Sequence, residues 1–185
     1  MKNSGTVQPC FEAYLSIDIP EPLNSMIYAL RDEYSDKKMT AMPVDIPVVG
    51  HYNNSMELIR YGEKLSDVIK SAISKIHNLG SDDYILHTDC YKVLPNGQVH
   101  LLFKENKVIS QLKQELARQL SEFNLKMDSD VFSYVIMKTH VSQEMLEKIH
   151  NRKIDLAFPI ERLTLYHKEA IPLTRIQSWS VGMID

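Results

Sequence analysis

The chain has 185 residues, of which 44% are hydrophobic, 24% are charged and 8% are aromatic. Its 21 Lys and Arg residues stand against 24 Asp and Glu residues, so the formal net charge is -3. This composition excludes disordered, collagenous and coiled-coil proteins. The mild acidity also argues against a general DNA-coating protein, because such binding needs a clustered excess of basic residues.

The chain ends and cysteines bound the class of protein further. Residues 1–10 are mostly small and polar and predict a flexible tail, followed by a single domain at 11–185. The N-terminus lacks the apolar core of a signal peptide, and no apolar run approaches the roughly 20 residues that span a bilayer. Cys10 and Cys90 lack metal-ligand spacing, and two free, buried thiols are favoured over one bridge. These observations predict a cytoplasmic protein with no membrane partner.

Hydrophobic periodicity predicts strands and helices that alternate along most of the chain. In the first half of the chain we expect a strand at 11–19, a helix at 21–35, an edge or irregular strand at 42–50, and a long helix from Asn54 and Ser55 to Gly80. Two strands follow at 84–94 and 98–104, joined by a turn at Asn96-Gly97. The second half continues with a helix, a strand at 131–137, a short helix at 141–150, and strands near 158–166 and 175–181; the apolar face of the first of these helices includes Ile109, Leu112, Leu116, Leu120 and Phe123. This order favours an α+β sandwich in which long helices cover the sheets from outside.

Four stretches together carry a resemblance to a known family. They are FEAYLSIDIPEPLNSMIYAL, MPVDIPVVG, VFSYVIMKT and IERLTLYHKEAIPLTRIQSWSV, in chain order. They are similar to the opening strand and helix, the two motif strands and the closing hairpin of the two-histidine (2H) phosphoesterase superfamily, which contains 2′-5′ RNA ligase-like proteins and RNA 2′,3′-cyclic phosphodiesterases. The resemblance implies a bilobal fold, with two pseudo-symmetric antiparallel-sheet lobes around a central cleft and helices outside.

The catalytic motifs of that family do not appear at the corresponding positions. Each half of a family member supplies a His-x-Thr or His-x-Ser strand, so that one imidazole acts as base and the other as acid on a phosphodiester. Here the first motif falls on residues 43–45, Pro-Val-Asp, and the second on 134–136, Tyr-Val-Ile. Neither contains histidine, and Asp45 would place a negative charge where an anionic substrate should sit. The sequence therefore predicts loss of the ordinary reaction.

The resemblance also assigns residues to the cleft. They are Tyr14, Pro43, Asp45, Tyr134, Ile136 and Lys138. A phenol at Tyr134 can stack on a base or hydrogen-bond a phosphate, but with a reference pKa of about 10 it does no acid–base chemistry near pH 7. We expect a divergent, catalytically inactive 2H-like protein whose cleft binds a nucleotide, an RNA end or a protein partner.

Two alternatives stay open at this point. The first is an active phosphodiesterase on 2′,3′-cyclic or 2′-5′-linked RNA, with a rearranged site that uses His140, Ser142 and His51. Ser142 can instead have a purely structural role as a helix N-cap. The second alternative is a non-catalytic protein-interaction domain.

The remaining polar residues predict no further site. We interpret His87 and His100 as structural residues of the central hairpin. The dispersed basic residues, Arg175 among them, are interpreted as solvated surface. No metal-ligand spacing and no phosphate-cradling glycine loop is present, so we expect no metal and no cofactor.

Overall fold

The computed structural model describes residues 10–33, 43–50, 56–59, 62–121, 134–138, 141–150, 155–167 and 174–182. Residues 1–9 of the predicted tail lie outside this description. For a few described residues, including those at 56–59 and 134–138, only the backbone is described.

Strands and helices alternate in the described residues much as the periodicity predicts. Their bounds are β1 Cys10–Asp18, α1 Leu23–Glu33, β2 Asp45–Val49, β3 Met56–Ile59, α2 Gly62–Ile76, a 3₁₀ turn Ser81–Tyr84, β4 Ile85–Val93, β5 Val99–Phe103, α3 Lys107–Leu120, β6 Tyr134–Lys138, α4 Gln143–His150, β7 Ala157–Pro159, β8 Arg162–His167 and β9 Thr174–Ser180. The predicted hairpin is present as β4 and β5, and Gly97 of its turn has a positive φ of 80°.

The described strands form two antiparallel sheets, which confirms the predicted α+β class. The first sheet has the order β2-β1-β8-β9, and the second has the order β6-β5-β4-β7. Strand β3 also pairs with β1. Because β8 occupies one edge of β1, β2 and β3 follow one another along its other edge. The proline-containing strand β2 thus lies at an edge, as its lost donors predict.

The prediction of a long helix that begins at Asn54 and Ser55 is wrong for the first part of that helix. Residues 56–59 form β3, which pairs with residues 10–13 of β1, and the helix begins only at Gly62. The polarity pattern of four residues fits a strand or a helix equally well. Residues 56–59 form a strand because they supply hydrogen-bond partners to the backbone groups of β1. Asn54 and Ser55 lie outside the described residues.

The prediction of one continuous strand near 158–166 is also wrong. It is two strands, and they belong to different sheets: β7 pairs with β4, whereas β8 pairs with β1. Between them Ile160 donates its N–H to the carbonyl of Tyr84 at 2.8 Å, and the carbonyl of Glu161 accepts from Val181 at 2.8 Å. The chain therefore crosses from one sheet to the other within two residues, while both backbone groups stay hydrogen-bonded.

One continuous hydrophobic core underlies both sheets. Alternate residues of β1 and of β5 enter it together with apolar residues from all four helices. The predicted face of α3 is buried at Ile109, Leu112, Leu116 and Leu120, while Phe123 lies outside the described residues. The intervening residues of β1 therefore point away from this core, because side chains alternate along a strand.

Cys90 is a free thiol, but it is exposed on β4, so the expectation of a buried thiol is wrong there. Within the described residues, no helix combines the length and apolarity that crossing a membrane requires.

We expect Ile160→Ala to destabilise the protein by about 2–4 kcal/mol, because it would leave a cavity where the two sheets are joined. Ile160 is fully buried, whereas Ile176 is 46% exposed. Ile176→Ala is therefore the matched control, and its free energy of unfolding should change by less than about 0.5 kcal/mol. Urea denaturation of both variants measures the difference, and equal effects would contradict the structural role of the crossover.

Candidate functional site

The polar side of the first sheet is built on β1. Tyr14 and Ser16 are fully buried on the side of β1 away from the core, and Asp18 follows them with partial exposure. Their neighbours on β8 are Tyr166, the Cα partner of Tyr14, and Thr164, the Cα partner of Ser16. Period-2 alternation thus places hydroxyl and carboxyl groups together on one face of the sheet.

Asp18 organises this face. Its Oδ2 accepts hydrogen bonds from Thr164 Oγ1 at 2.9 Å and from Arg175 Nη2 at 3.2 Å, and its Oδ1 accepts from Tyr166 OH at 3.1 Å. Thr164 Oγ1 also lies 2.9 Å from Ser178 Oγ. One carboxylate therefore fixes side chains from β8 and β9, and the bond from Arg175 is of the stronger, charge-assisted kind.

A pocket of about 300 Å³ opens beside Asp18. Its polar and aromatic lining residues are Asp18, Asn24, Tyr28, Glu161, Arg162, Tyr166 and Arg175. Pro43 and Val44, which precede β2, complete one wall together with Ile19 and Pro20. The lining therefore holds two carboxylates, two guanidinium groups and two phenols, and its formal charge is balanced.

Asp45 follows the lining residues Pro43 and Val44 in the chain but does not itself line the pocket. It is the Cα partner of Asp18 and is only 6% exposed. Burial raises the pKa of its carboxyl group to about 6; the nearby hydroxyls and Arg31 lower it, and Asp18 raises it. Oδ2 of Asp45 has no hydrogen-bond partner among the described residues. Asp45 is thus an ionisable group close to its pKa at neutral pH and poorly solvated.

A buried cation contacts the same segment. Arg31 of α1 is 2% exposed, and its Nη1 donates to the carbonyl of Pro43 at 3.3 Å. Its guanidinium carbon lies 5.6 Å from the centroid of the Tyr28 ring, within the range of a cation–π contact. Arg31 therefore links α1, the pocket wall at Tyr28 and the segment that carries Pro43.

The two strands to which the family resemblance assigns the motifs, β2 and β6, lie close together. Cα atoms of β2 and β6 lie within 8 Å of one another. On β6, Tyr134 is the Cα partner of Leu102 and Ile136 that of His100. Only the backbone of Tyr134, Ile136 and Lys138 is described.

The other assigned cleft residues occupy different depths. Pro43 lines the pocket. Tyr14 is fully buried and stacks on Tyr166, with ring centroids 5.4 Å apart. Tyr166, and not Tyr14, lines the pocket.

The residues of the rearranged-site alternative are described only in part. His51 and His140 lie outside the described residues. Ser142 Oγ accepts a hydrogen bond from the Met145 backbone N–H at 3.4 Å, which is the N-cap geometry of α4.

The two hairpin histidines differ in their surroundings. His87 is exposed, whereas His100 is buried with its Nε2 3.3 Å from Gln98 Oε1. Burial lowers the pKa of His100 to about 4, and the Lys92 charge acts in the same direction. His100 is therefore neutral at pH 7. Across the described residues, no group of three His, Cys, Asp or Glu side chains is placed to hold a metal ion.

Sequence reasoning missed most of the pocket. It assigned no role to Asp18, Arg31 or Arg162, and it interpreted Arg175 as solvated surface, although Arg175 pairs with Asp18. One signal was available for Arg31, which lies four residues after the buried Ile27 and hence on the apolar stripe of α1.

Comparison with solved structures identifies the fold. The structure of E. coli LigT complexed with 3′-AMP matches with a TM-score of 0.60 at 12% identity, covering 94% of this chain and 99% of that chain. LigT complexed with NADP+ matches with a TM-score of 0.58 at 12% identity, over 94% and 98%. A structure described as a phosphoesterase matches with a TM-score of 0.56 at 13% identity, over 95% and 100%.

The protein therefore has the fold of the 2H phosphoesterases, to which LigT belongs, and the resemblance seen in the sequence is confirmed at the level of fold. Comparison with models of protein families gives no match for this sequence, and neither does comparison with curated proteins.

We expect Asp45→Asn to stabilise the protein at pH 8. Folding raises the pKa of the Asp45 carboxyl group from 3.8 to about 6. Between pH 3.8 and pH 6 this carboxyl group is therefore more often protonated in the folded state than in the unfolded state, and the folded state loses stability as the pH rises through this range. The neutral amide avoids this cost, so the free energy of unfolding should rise by about 1–3 kcal/mol at pH 8. The gain should vanish at pH 3.5. Urea denaturation at both pH values measures it, and a gain independent of pH would contradict the assignment.

Proposed function

We propose that this protein binds a nucleotide in the pocket beside Asp18 and does not carry out the two-histidine reaction. One observation carries the proposal. The pocket is lined by Pro43, the residue to which the family resemblance assigns the start of the first motif, and its polar groups suit a binding site: two arginines, two tyrosines and two carboxylates.

The pocket chemistry suits the parts of a nucleotide. Its volume of about 300 Å³ falls at the lower end of small-molecule sites, which suits a single nucleotide rather than an oligomer. The guanidinium groups of Arg162 and Arg175 can bind phosphate oxygens in pairs. The phenol rings of Tyr28 and Tyr166 offer apolar surface for a base, and Asn24 and Glu161 offer partners for ribose hydroxyls.

The complexes of a structural neighbour support the same class of ligand. LigT has been solved with 3′-AMP and with NADP+, both of which contain an adenine nucleotide. LigT shares the fold with this chain at 12% identity. The proposal that this chain binds nucleotides rests on its own pocket, and the LigT complexes suggest adenine nucleotides as the first ligands to try.

The proposed loss of catalysis follows from the groups at the first motif. Proline at position 43 has no proton to transfer, and its carbonyl is already bound by Arg31. Asp45 is buried behind the pocket wall and does not line the pocket. General acid–base catalysis requires a group within hydrogen-bond reach of the reacting atom, and neither residue meets this requirement.

We expect Arg162→Gln to weaken the binding of 3′-AMP by about three- to tenfold, the cost of losing one charge-assisted contact at a partly exposed site. Arg162 is exposed and lines the pocket, so the substitution should not alter stability. Arg118→Gln is the matched control, since Arg118 lies on α3 and pairs with Glu115. Isothermal titration calorimetry measures both. If wild-type protein binds no nucleotide, the nucleotide-binding proposal fails and the protein-interaction alternative gains support.

We expect no hydrolysis of 2′,3′-cyclic AMP or of a 2′-5′-linked adenosine dinucleotide above the rate without protein. Chromatographic separation of substrate and product measures this directly. Turnover that disappears in both His51→Ala and His140→Ala would establish the rearranged active site instead. Turnover that survives both substitutions would contradict both accounts of the site.

A further inference from the structure

A β-bulge in strand β9 lies next to the pocket. Leu165 of β8 is the Cα partner of Gln177, and the next residue of β8, Tyr166, is the partner of Arg175. Ile176 is therefore one extra residue in β9, and its side chain is 46% exposed. Bulges of this kind occur at sheet edges and beside functional sites, where they change the direction of a side chain.

The bulge turns Arg175 toward the polar face of the sheet. Ser178 lies on that face, since its Oγ is 2.9 Å from Thr164 Oγ1. In a regular strand the residue two positions earlier, Ile176, would share the face. Because of the extra residue Arg175 takes that place instead, lines the pocket, and donates from its Nη2 to Asp18 Oδ2 at 3.2 Å.

A fixed carboxylate holds Arg175 in this position. Asp18 also accepts hydrogen bonds from Thr164 at 2.9 Å and from Tyr166 at 3.1 Å, so its own orientation is set by β8. Burial raises the pKa of Tyr166, the charge of Asp18 raises it further, and Arg175 acts in the opposite direction. The phenol therefore stays protonated beside the ion pair. The Arg175 side chain is still 50% exposed, so its guanidinium group can contact a ligand.

Arg162 lines the same pocket under different conditions. Its side chain is exposed, and within the described part of the chain no side chain pairs with it. A ligand that binds Arg162 must immobilise a flexible side chain, which reduces affinity by about two- to tenfold. Arg175 is held in advance, so a phosphate that binds there avoids this cost.

We propose that Asp18 is a positioning residue that holds Arg175 toward the pocket, so that Arg175 rather than Arg162 contributes most to phosphate binding. This inference rests on the proposed nucleotide binding. The charge of Asp18 also repels a phosphate, but two charges that act on a ligand independently have additive effects on its affinity. Positioning requires both residues, and it is therefore measured as a departure from additivity.

The test is a double-mutant cycle of Asp18→Asn and Arg175→Gln, in which isothermal titration calorimetry gives the dissociation constant of 3′-AMP. In the Arg175→Gln background, Asp18→Asn removes only repulsion and should leave the affinity unchanged or improved. In the wild-type background it also releases Arg175. We expect Asp18→Asn to be about two- to tenfold less favourable there, the factor set by the cost of immobilising the side chain. Low ionic strength strengthens the charge contacts and keeps the weaker variants within the measurable range.

The same titrations compare the two arginines. Arg175→Gln should weaken the binding of 3′-AMP by about ten- to fiftyfold, since it removes both a charge-assisted contact and the benefit of its fixed position. This loss should exceed that of Arg162→Gln, and an equal or smaller loss would contradict the proposed order of the two residues.

A substitution without a change of charge keeps the test decisive if Asp18→Asn disturbs the fold. Tyr166→Phe keeps the ring that stacks on Tyr14 and removes the hydroxyl that binds Asp18. Its cycle with Arg175→Gln should show a smaller coupling of the same sign. Asp32→Asn, at an exposed position on α1, is the matched control and should show no coupling with Arg175→Gln. Thermal unfolding confirms that each variant is folded at the temperature of titration.

Adenosine separates positioning of the phosphate-binding group from a general role in the fold. It lacks the phosphate, so neither cycle should show coupling when adenosine is the ligand. Equal coupling for adenosine and 3′-AMP would overturn the proposal, because the pair would then support the pocket as a whole. Where adenosine binds too weakly to titrate, the sign of the coupling for 3′-AMP decides.

The outcomes distinguish this proposal from the proposed function. If wild-type protein does not bind 3′-AMP, the proposed function fails. If 3′-AMP binds and the cycle is additive, nucleotide binding stands and the positioning role of Asp18 is overturned. Coupling of the opposite sign also overturns it, since Asp18 would then compete with the ligand for Arg175.

Discussion

The alternation of side chains along β1 is the constraint on which the rest of the structure depends. Ala13, Leu15 and Ile17 enter the core, and the residues between them form the polar face. Because β1 pairs with β8 on one edge and with β2 and β3 on the other, its alternation sets the alternation of its neighbours. A slip of one residue would send Asp18 into the core and expose the apolar set, so the register is strongly specified.

Two carboxylates therefore come to lie side by side with opposite roles. Asp18 accepts hydrogen bonds from three side chains and holds the pocket together. Asp45, its Cα partner, is more deeply buried and has one oxygen without a partner among the described residues. A buried charge of this kind lowers stability unless it is compensated. Arg31 supplies part of the compensation, and in doing so it fixes the carbonyl of Pro43.

The features of the fold that the sequence predicted are those determined by residues close together in the chain. The α3 stripe and the Asn96-Gly97 hairpin are encoded within a few residues, and both predictions are confirmed over the described residues, from Ile109 to Leu120 for the stripe. Strand β3 was not predicted, because four residues gain their conformation from pairing with β1. The separation of β7 from β8 was missed for a similar reason, since continuous β propensity does not reveal a change of sheet.

The candidate site was less predictable than the fold. Family resemblance assigned Pro43 to a cleft, and Pro43 lines the pocket. The contact of Arg175 with Asp18 joins residues 157 positions apart and depends on the register of three strands. Likewise, no local pattern distinguishes Asp45 as buried, because a carboxylate side chain is ordinarily exposed. Both residues acquire their properties from tertiary packing.

The pairing of β1 with β8 also determines when the first sheet can be completed during synthesis. Strand β1 ends at Asp18, and its partner β8 begins only at Arg162. The ribosome adds about 5–20 residues per second, so β1 waits many seconds for that partner. The β4–β5 hairpin and α3 are complete well before then. The pairs that β1 forms with β2 and β3 can also form before β8 emerges. The contacts that join Asp18 to Thr164, Tyr166 and Arg175 are therefore the part of the polar face that is assembled last.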